Sequence, residues 1–110
     1  MREIFQPELR DVQNRLAEVA ELVVVAITKA TAAFATSDVA LADQVIEEDT
    51  YIDELALSLD ELTIAIMAQQ APVAKDLRIV VSALRISASL ERMGDMAEHI
   101  AQLARYRFPE

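Results

Sequence analysis

The sequence predicts an all-α protein, an up-down-up antiparallel bundle of three long helices, and three observations predict it. More than half of the 110 residues are apolar, 54%, yet there is a single Gly, only three Pro and few aromatics. A β-rich fold would need more turn-forming residues than that. Apolar residues recur at alternating spacings of three and four through almost the whole chain, which is the period of a helix face. Only two places interrupt this pattern, Thr36-Ser37-Asp38 and the surroundings of Pro72.

The first helix is expected over 7–36, starting at Pro7, since proline is favoured at the first helical position. Its seam is Leu9, Val12, Leu16, Val19, Val23, Ala26, Ala30 and Ala33. Ser37 or Asp38 is a natural N-cap for a second helix over 38–70. That helix carries Leu41, Val45, Ile52, Leu55, Leu59, Leu62 and Ile66 on one stripe, interrupted by Glu48 alone. It ends before Pro72, which disfavours helical geometry in the residue preceding it. The third helix, over 72–106, has Ile79, Ala83, Ile86, Leu90, Met93, Ala97, Ile100 and Ala104 as its seam. Short connections between long helices favour antiparallel neighbours. The chain is one domain's worth of residues, with no linker or repeat inside it.

Composition excludes several functions. Without cysteine there is neither a disulfide framework nor a thiolate metal site. A net charge of −9 argues against nucleic acid, which requires a basic face. No signal-peptide pattern opens the chain, and the longest unbroken apolar stretch, Leu22 to Ile27, is too short to cross a bilayer. A cytoplasmic protein with no transmembrane segment is expected.

Two acidic pairs carry the chemistry: Asp49-x-x-x-Asp53 on the second helix and Glu91-x-x-x-Asp95 on the third. Residues four apart share a helix face, and like charges there repel by a few tenths of a kcal/mol. If the second and third helices fold back about Pro72, Asp53 and Glu91 come level, each 19 residues away, and Asp49 and Asp95 come level at 23. Four carboxylates at one height suit a hard or borderline cation, such as magnesium, manganese, iron or zinc. Glu48 adds acidic density, and His99, four residues beyond Asp95, could lend a nitrogen ligand. Solvated surface carboxylates, part of a structural helical interaction module without metal, are the alternative. Gly94, inside the second pair, costs roughly 1 kcal/mol relative to Ala in mid-helix and either lets helices approach or leaves room for a ligand. Arg78, Arg85 and Arg92 recur every seven residues, as a solvated salt-bridged face or a docking stripe for an acidic partner. Asp76 either favours the positive end of the third helix or contacts a partner. No phosphate loop and no nucleophile–histidine arrangement is present, and no Glu has a His three residues on, so an enzyme is not expected; a metal-dependent one is the remote alternative.

With these residues in place, the chain resembles one repeat of the PhoU family of bacterial phosphate-uptake regulators. The likeness runs from Asp49-Thr-Tyr-Ile-Asp53, through Gln69-Gln-Ala-Pro-Val-Ala-Lys-Asp-Leu-Arg78, to Leu90-Glu-Arg-Met-Gly-Asp95 and Ile100-Ala101. The resemblance implies a three-helix bundle whose Asp49, Asp53, Glu91 and Asp95 bind metal ions. It also implies a negative regulator acting between a phosphate ABC transporter and a sensor histidine kinase at the inner face of the membrane, commonly as a homodimer. Members usually carry two such repeats, so the chain is expected to be the N-terminal one, with Met1 a true start. The family commonly has Asn where this chain has His99.

Overall fold

The computed structural model describes residues 2–70 and 74–107. It contains three α-helices, α1 (Arg2–Thr36), α2 (Val39–Gln70) and α3 (Ala74–Arg107), and every pair of helices packs together. They form an all-α rod whose Cα atoms span 60 × 17 × 17 Å. The helix α1 starts at Arg2, five residues before Pro7, which therefore lies inside the helix instead of opening it. As the sixth helical residue, Pro7 lacks the N–H that would bond to the Glu3 carbonyl, which costs the helix one hydrogen bond close to its start. The expected start of the third helix at Pro72 lies outside the described residues.

The turn between α1 and α2 is two residues long and fully specified. Ser37 takes the left-handed conformation, φ 55°, and the Asp38 N–H bonds back to the Ala33 carbonyl at 3.0 Å. That is the Schellman closure of a helix C-terminus. Asp38, and not Ser37, then caps α2: its Oδ1 accepts the Leu41 N–H at 3.0 Å, while its carbonyl accepts the Ala42 N–H.

Each helix buries one stripe with a strict seven-residue repeat. On α1 it is the expected seam, Leu9 to Ala33, with Leu16 half-buried. On α2 the stripe is Ala42, Val45, Asp49, Ile52, Ala56, Leu59, Thr63 and Ile66. Glu48 is exposed, and the polar residues within the seam are Asp49 and Thr63. On α3 the stripe is Asp76, Val80, Ala83, Ser87, Leu90, Gly94, Ala97, Ala101 and Ala104. Ile86 and Met93, expected in the core, are exposed. These differences have one cause. Every second seam position of α2, and every seam position of α3 but Val80 and Leu90, carries a small or polar residue, while larger Leu, Ile and Met side chains flank them one position away. Weighting by size therefore shifts the apparent seam sideways. In fact small residues take most of the α3 seam, while Val12, Val19, Val23, Ile52, Leu59 and Ile66 fill the axis from α1 and α2 with the 3.5 period of a coiled coil.

From Gln6 to Thr36, α1 is long and apolar enough to cross a bilayer, although its unbroken apolar stretch is short. Its alternating seam residues are nevertheless fully buried against α2 and α3. Lys29–Glu48 and Arg105–Asp43 tie helices together as part-exposed ion pairs, both at 3.3 Å. Exposed pairs of this kind add little stability. Because a left-handed conformation costs a non-glycine residue about 1–2 kcal/mol, Ser37→Gly should stabilise the bundle by about 1 kcal/mol. Asp38→Ala should destabilise it by about 1 kcal/mol. Urea unfolding of the two variants checks both signs.

Candidate metal centre

The repeat that buries α2 and α3 also sets a carboxylate between them. Asp49 occupies a seam position of α2 and is only 8% exposed, while Asp53, one turn on, projects from the rim toward α3. Opposite them, Gly94 takes the seam of α3 and Asp95 follows at its rim. A Cβ built on Gly94 would meet Asp49 Oδ1 at 3.5 Å, Ile52 at 3.8 Å and Val23 at 3.9 Å. These are ordinary contact distances, so no clash demands the glycine. Its missing side chain leaves the space beside the buried carboxylate open.

Ligand oxygens of Asp49, Asp53 and Asp95 all lie within 4.8 Å of one another. Two oxygens on opposite sides of a magnesium-sized ion stand about 4.2 Å apart, at ~2.1 Å bonds, so small side-chain rotations bring this set onto one ion. Glu91, the fourth predicted ligand, sits beside the trio and faces Asp60, Asp53 and Asp95.

The electrostatics are one-sided. Burial first, and then the charges of Asp53, Glu98, Asp95 and Glu91, push the Asp49 carboxyl up to about 6. Burial and then Asp95 raise Asp53; burial, then Asp60, Asp53 and Asp95, raise Glu91. Among the described residues no ion pair engages any of these groups, and Asp49 Oδ1 is buried without a hydrogen-bond partner. A buried unpaired carboxylate is costly. Four acidic neighbours make it costlier, and a cation at the trio would offset their repulsion. The donor set therefore fits a hard cation.

The remaining predicted residues lie elsewhere. Glu48 turns toward α1 and pairs with Lys29 Nζ at 3.3 Å, away from the trio. His99 is exposed on the outer face of α3, in register with exposed Arg78, Arg85 and Arg92. Asp76 is 4% exposed in the first turn of α3, a position that favours the helix's positive end and leaves no surface for a partner. Two acids were not read as members of this group. Glu98 acts on Asp49, and Asp60, whose Oδ1 is buried without a partner, acts on Glu91. Their signal was the seven-residue spacing of Asp53/Asp60 and Glu91/Glu98, which places each pair on one rim.

Fold and site together define a three-helix bundle with a cluster of carboxylates between α2 and α3. Comparison with known proteins gives the family. The PhoU domain family matches residues 16–104, and the chain belongs to it. It is 39% identical over all 110 residues to the phosphate-specific transport system accessory protein PhoU homolog 2 of Mycobacterium tuberculosis, covering 52% of that protein. To PhoU homolog 1 of Mycobacterium leprae it is 38% identical over 110 residues, 50% of that protein. To the PhoU homolog of Aquifex aeolicus it is 40% identical over 97 residues, 88% of this chain and 44% of that one. The chain thus spans about half the length of these relatives.

Two outcomes follow for metal-free protein. A carboxyl raised in the folded state makes that state bind more protons than the unfolded chain, so its contribution is favourable below about pH 4 and is lost as pH rises through about 6. Asp49→Asn should remove this slope and stabilise the metal-free bundle at pH 7 by on the order of 2 kcal/mol, measured by urea unfolding across pH 4–7. Gly94→Ala should fold and gain up to about 1 kcal/mol from helix propensity, while raising the Asp49 carboxyl further by closing the space beside it; the pH at which its stability slope ends reports that shift.

Proposed function

We propose that this chain is a metal-binding regulatory module of phosphate uptake, holding a divalent or trivalent cation at Asp49, Asp53 and Asp95 with Glu91 as a further ligand. One observation carries the reading: a carboxylate built into the helical seam, unpaired, with carboxylates as its neighbours. A stable fold keeps such a group when a cation compensates it. Oxygen-only donors favour magnesium, manganese or iron, and zinc remains compatible.

The relatives named as phosphate-specific transport accessory proteins support a role beside a phosphate ABC transporter. In this reading the module sits at the cytoplasmic face of the membrane. It lowers the phosphate-starvation response by linking the transporter to a sensor histidine kinase, and it works by docking, without catalytic turnover. The bound cation would cancel the repulsion across the α2–α3 groove, fixing those two helices against each other and changing the charge they present to a partner.

Elemental mass spectrometry of dialysed protein tests the metal. Stoichiometric iron, manganese, zinc or magnesium is expected in the wild type and lost in Asp53→Ala/Glu91→Ala. A wild type that stays metal-free after loading would remove the metal from the account. The regulatory arm is tested in cells. The same double variant should derepress phosphate uptake under phosphate excess, and normal repression by it would make the carboxylates dispensable.

A further inference from the structure

We infer that the outer face of α2 docks a basic amphipathic helix of a partner protein. Residues 53–66 are two successive heptads of one pattern, Asp53-Glu-Leu-Ala-Leu-Ser-Leu and Asp60-Glu-Leu-Thr-Ile-Ala-Ile. The bundle core accounts for Ala56, Leu59, Thr63 and Ile66, all buried, and leaves Leu57 58% and Ile64 57% exposed. Each of these two apolar residues has an Asp four positions before it and a Glu three positions before it. On a helix those positions lie one turn back, one to either side. Leu57 and Ile64 therefore form an exposed apolar row with acids along both edges, and Asp53 to Ile64 extends about 17 Å at ~1.5 Å per residue. Leu77, in the α3 row of Glu91 and Arg105 that faces α2, adds a third apolar side chain, 39% exposed.

Charge selects the occupant. The helix α2 carries eight Asp and Glu and no Lys, Arg or His, so almost all of the chain's net charge of −9 sits on it. Its ion pairs, Asp43 with Arg105 and Glu48 with Lys29, lie outside the two heptads. Among the described residues no ion pair engages Glu54, Asp60 or Glu61. A cation at Asp49, Asp53 and Asp95 would leave these three uncompensated, so the face is acidic with or without metal and the docking site stands apart from the metal reading. Such a face repels both a second copy of α2 and an anionic lipid surface. Its complement is a helix with an apolar stripe of the same seven-residue spacing and Lys or Arg on both sides. The stripe covers Leu57 and Ile64, while the cations meet Asp53 and Asp60 along one edge and Glu54 and Glu61 along the other. Flanking charges choose partners in coiled coils in the same way. Two or three apolar side chains bury too little for a permanent complex, so the docking is reversible and steered by charge.

Fluorescence anisotropy tests this, with the full chain and a labelled three-heptad peptide that has Leu in one stripe and Lys and Arg beside it. The titration is run at ~0.15 M salt, first with a chelator and then with manganese. Saturable binding is expected in both conditions, weakened at least about tenfold by Leu57→Ser/Ile64→Ser and by Glu54→Lys/Glu61→Lys. All four side chains are exposed, so helical circular dichroism should be unchanged. Glu18→Lys/Glu21→Lys, the same change of charge at exposed positions of α1, should keep the affinity within about twofold, because distant charges are screened at this salt. An equal loss in that α1 variant would reduce the binding to attraction by net charge and overturn the inference. It is overturned as well if the basic peptide does not bind, or if a peptide with Glu in place of Lys and Arg, or phosphatidylglycerol vesicles, bind in its stead. Binding seen only with manganese moves the site to the metal groove and also overturns it.

Discussion

A carboxylate held at a seam position of α2 is the constraint around which the middle of this bundle is arranged. Asp49 stands where the seven-residue repeat demands a core residue, and among the described residues nothing basic answers it. Around it the structure makes a series of concessions. The facing position on α3 is Gly94, a poor helix former in mid-helix, and the rims on both sides carry further acids. Ser87, another α3 seam residue, is fully buried with an unpartnered hydroxyl. The apolar core divides into two clusters, one with Val19 to Ala33 of α1 and the other with Leu9 and Val12; Asp49 lies within the first, between Val45 and Ile52.

The fold was legible because its signals are redundant. Three seams of period 3.5, a Thr-Ser-Asp break and a proline specify three helices and their order, and the all-α bundle follows. The acidic pairs were legible too, since Asp49/Asp53 and Glu91/Asp95 read as faces on any helix. Asp49, Asp53 and Asp95 do converge, and Glu91 stands at their edge.

What was not legible is which side of each helix faces the axis. An apolar count treats Ile86 or Met93 as core and Ser87 or Gly94 as surface, because it measures the size of a side chain and not its direction. On α3 the axis takes mostly small residues, while the seams of α1 and α2 keep large ones such as Val19, Val23, Ile52, Leu59 and Ile66. The same blindness hid the difference between Glu48 and Asp49: adjacent acids on one helix point about 100° apart, so one pairs with Lys29 of α1 and the other enters the core.

The central claim is that the bundle carries at Asp49 an electrostatic penalty which a cation removes. Urea unfolding at pH 7 with a chelator, and then with manganese, zinc or ferrous iron in turn, measures this most directly. The account predicts that one of these ions raises the unfolding free energy by about 1.4 kcal/mol for each tenfold increase in its concentration above the dissociation constant, and that Asp49→Asn abolishes the gain. Superimposable unfolding curves with every ion would contradict it.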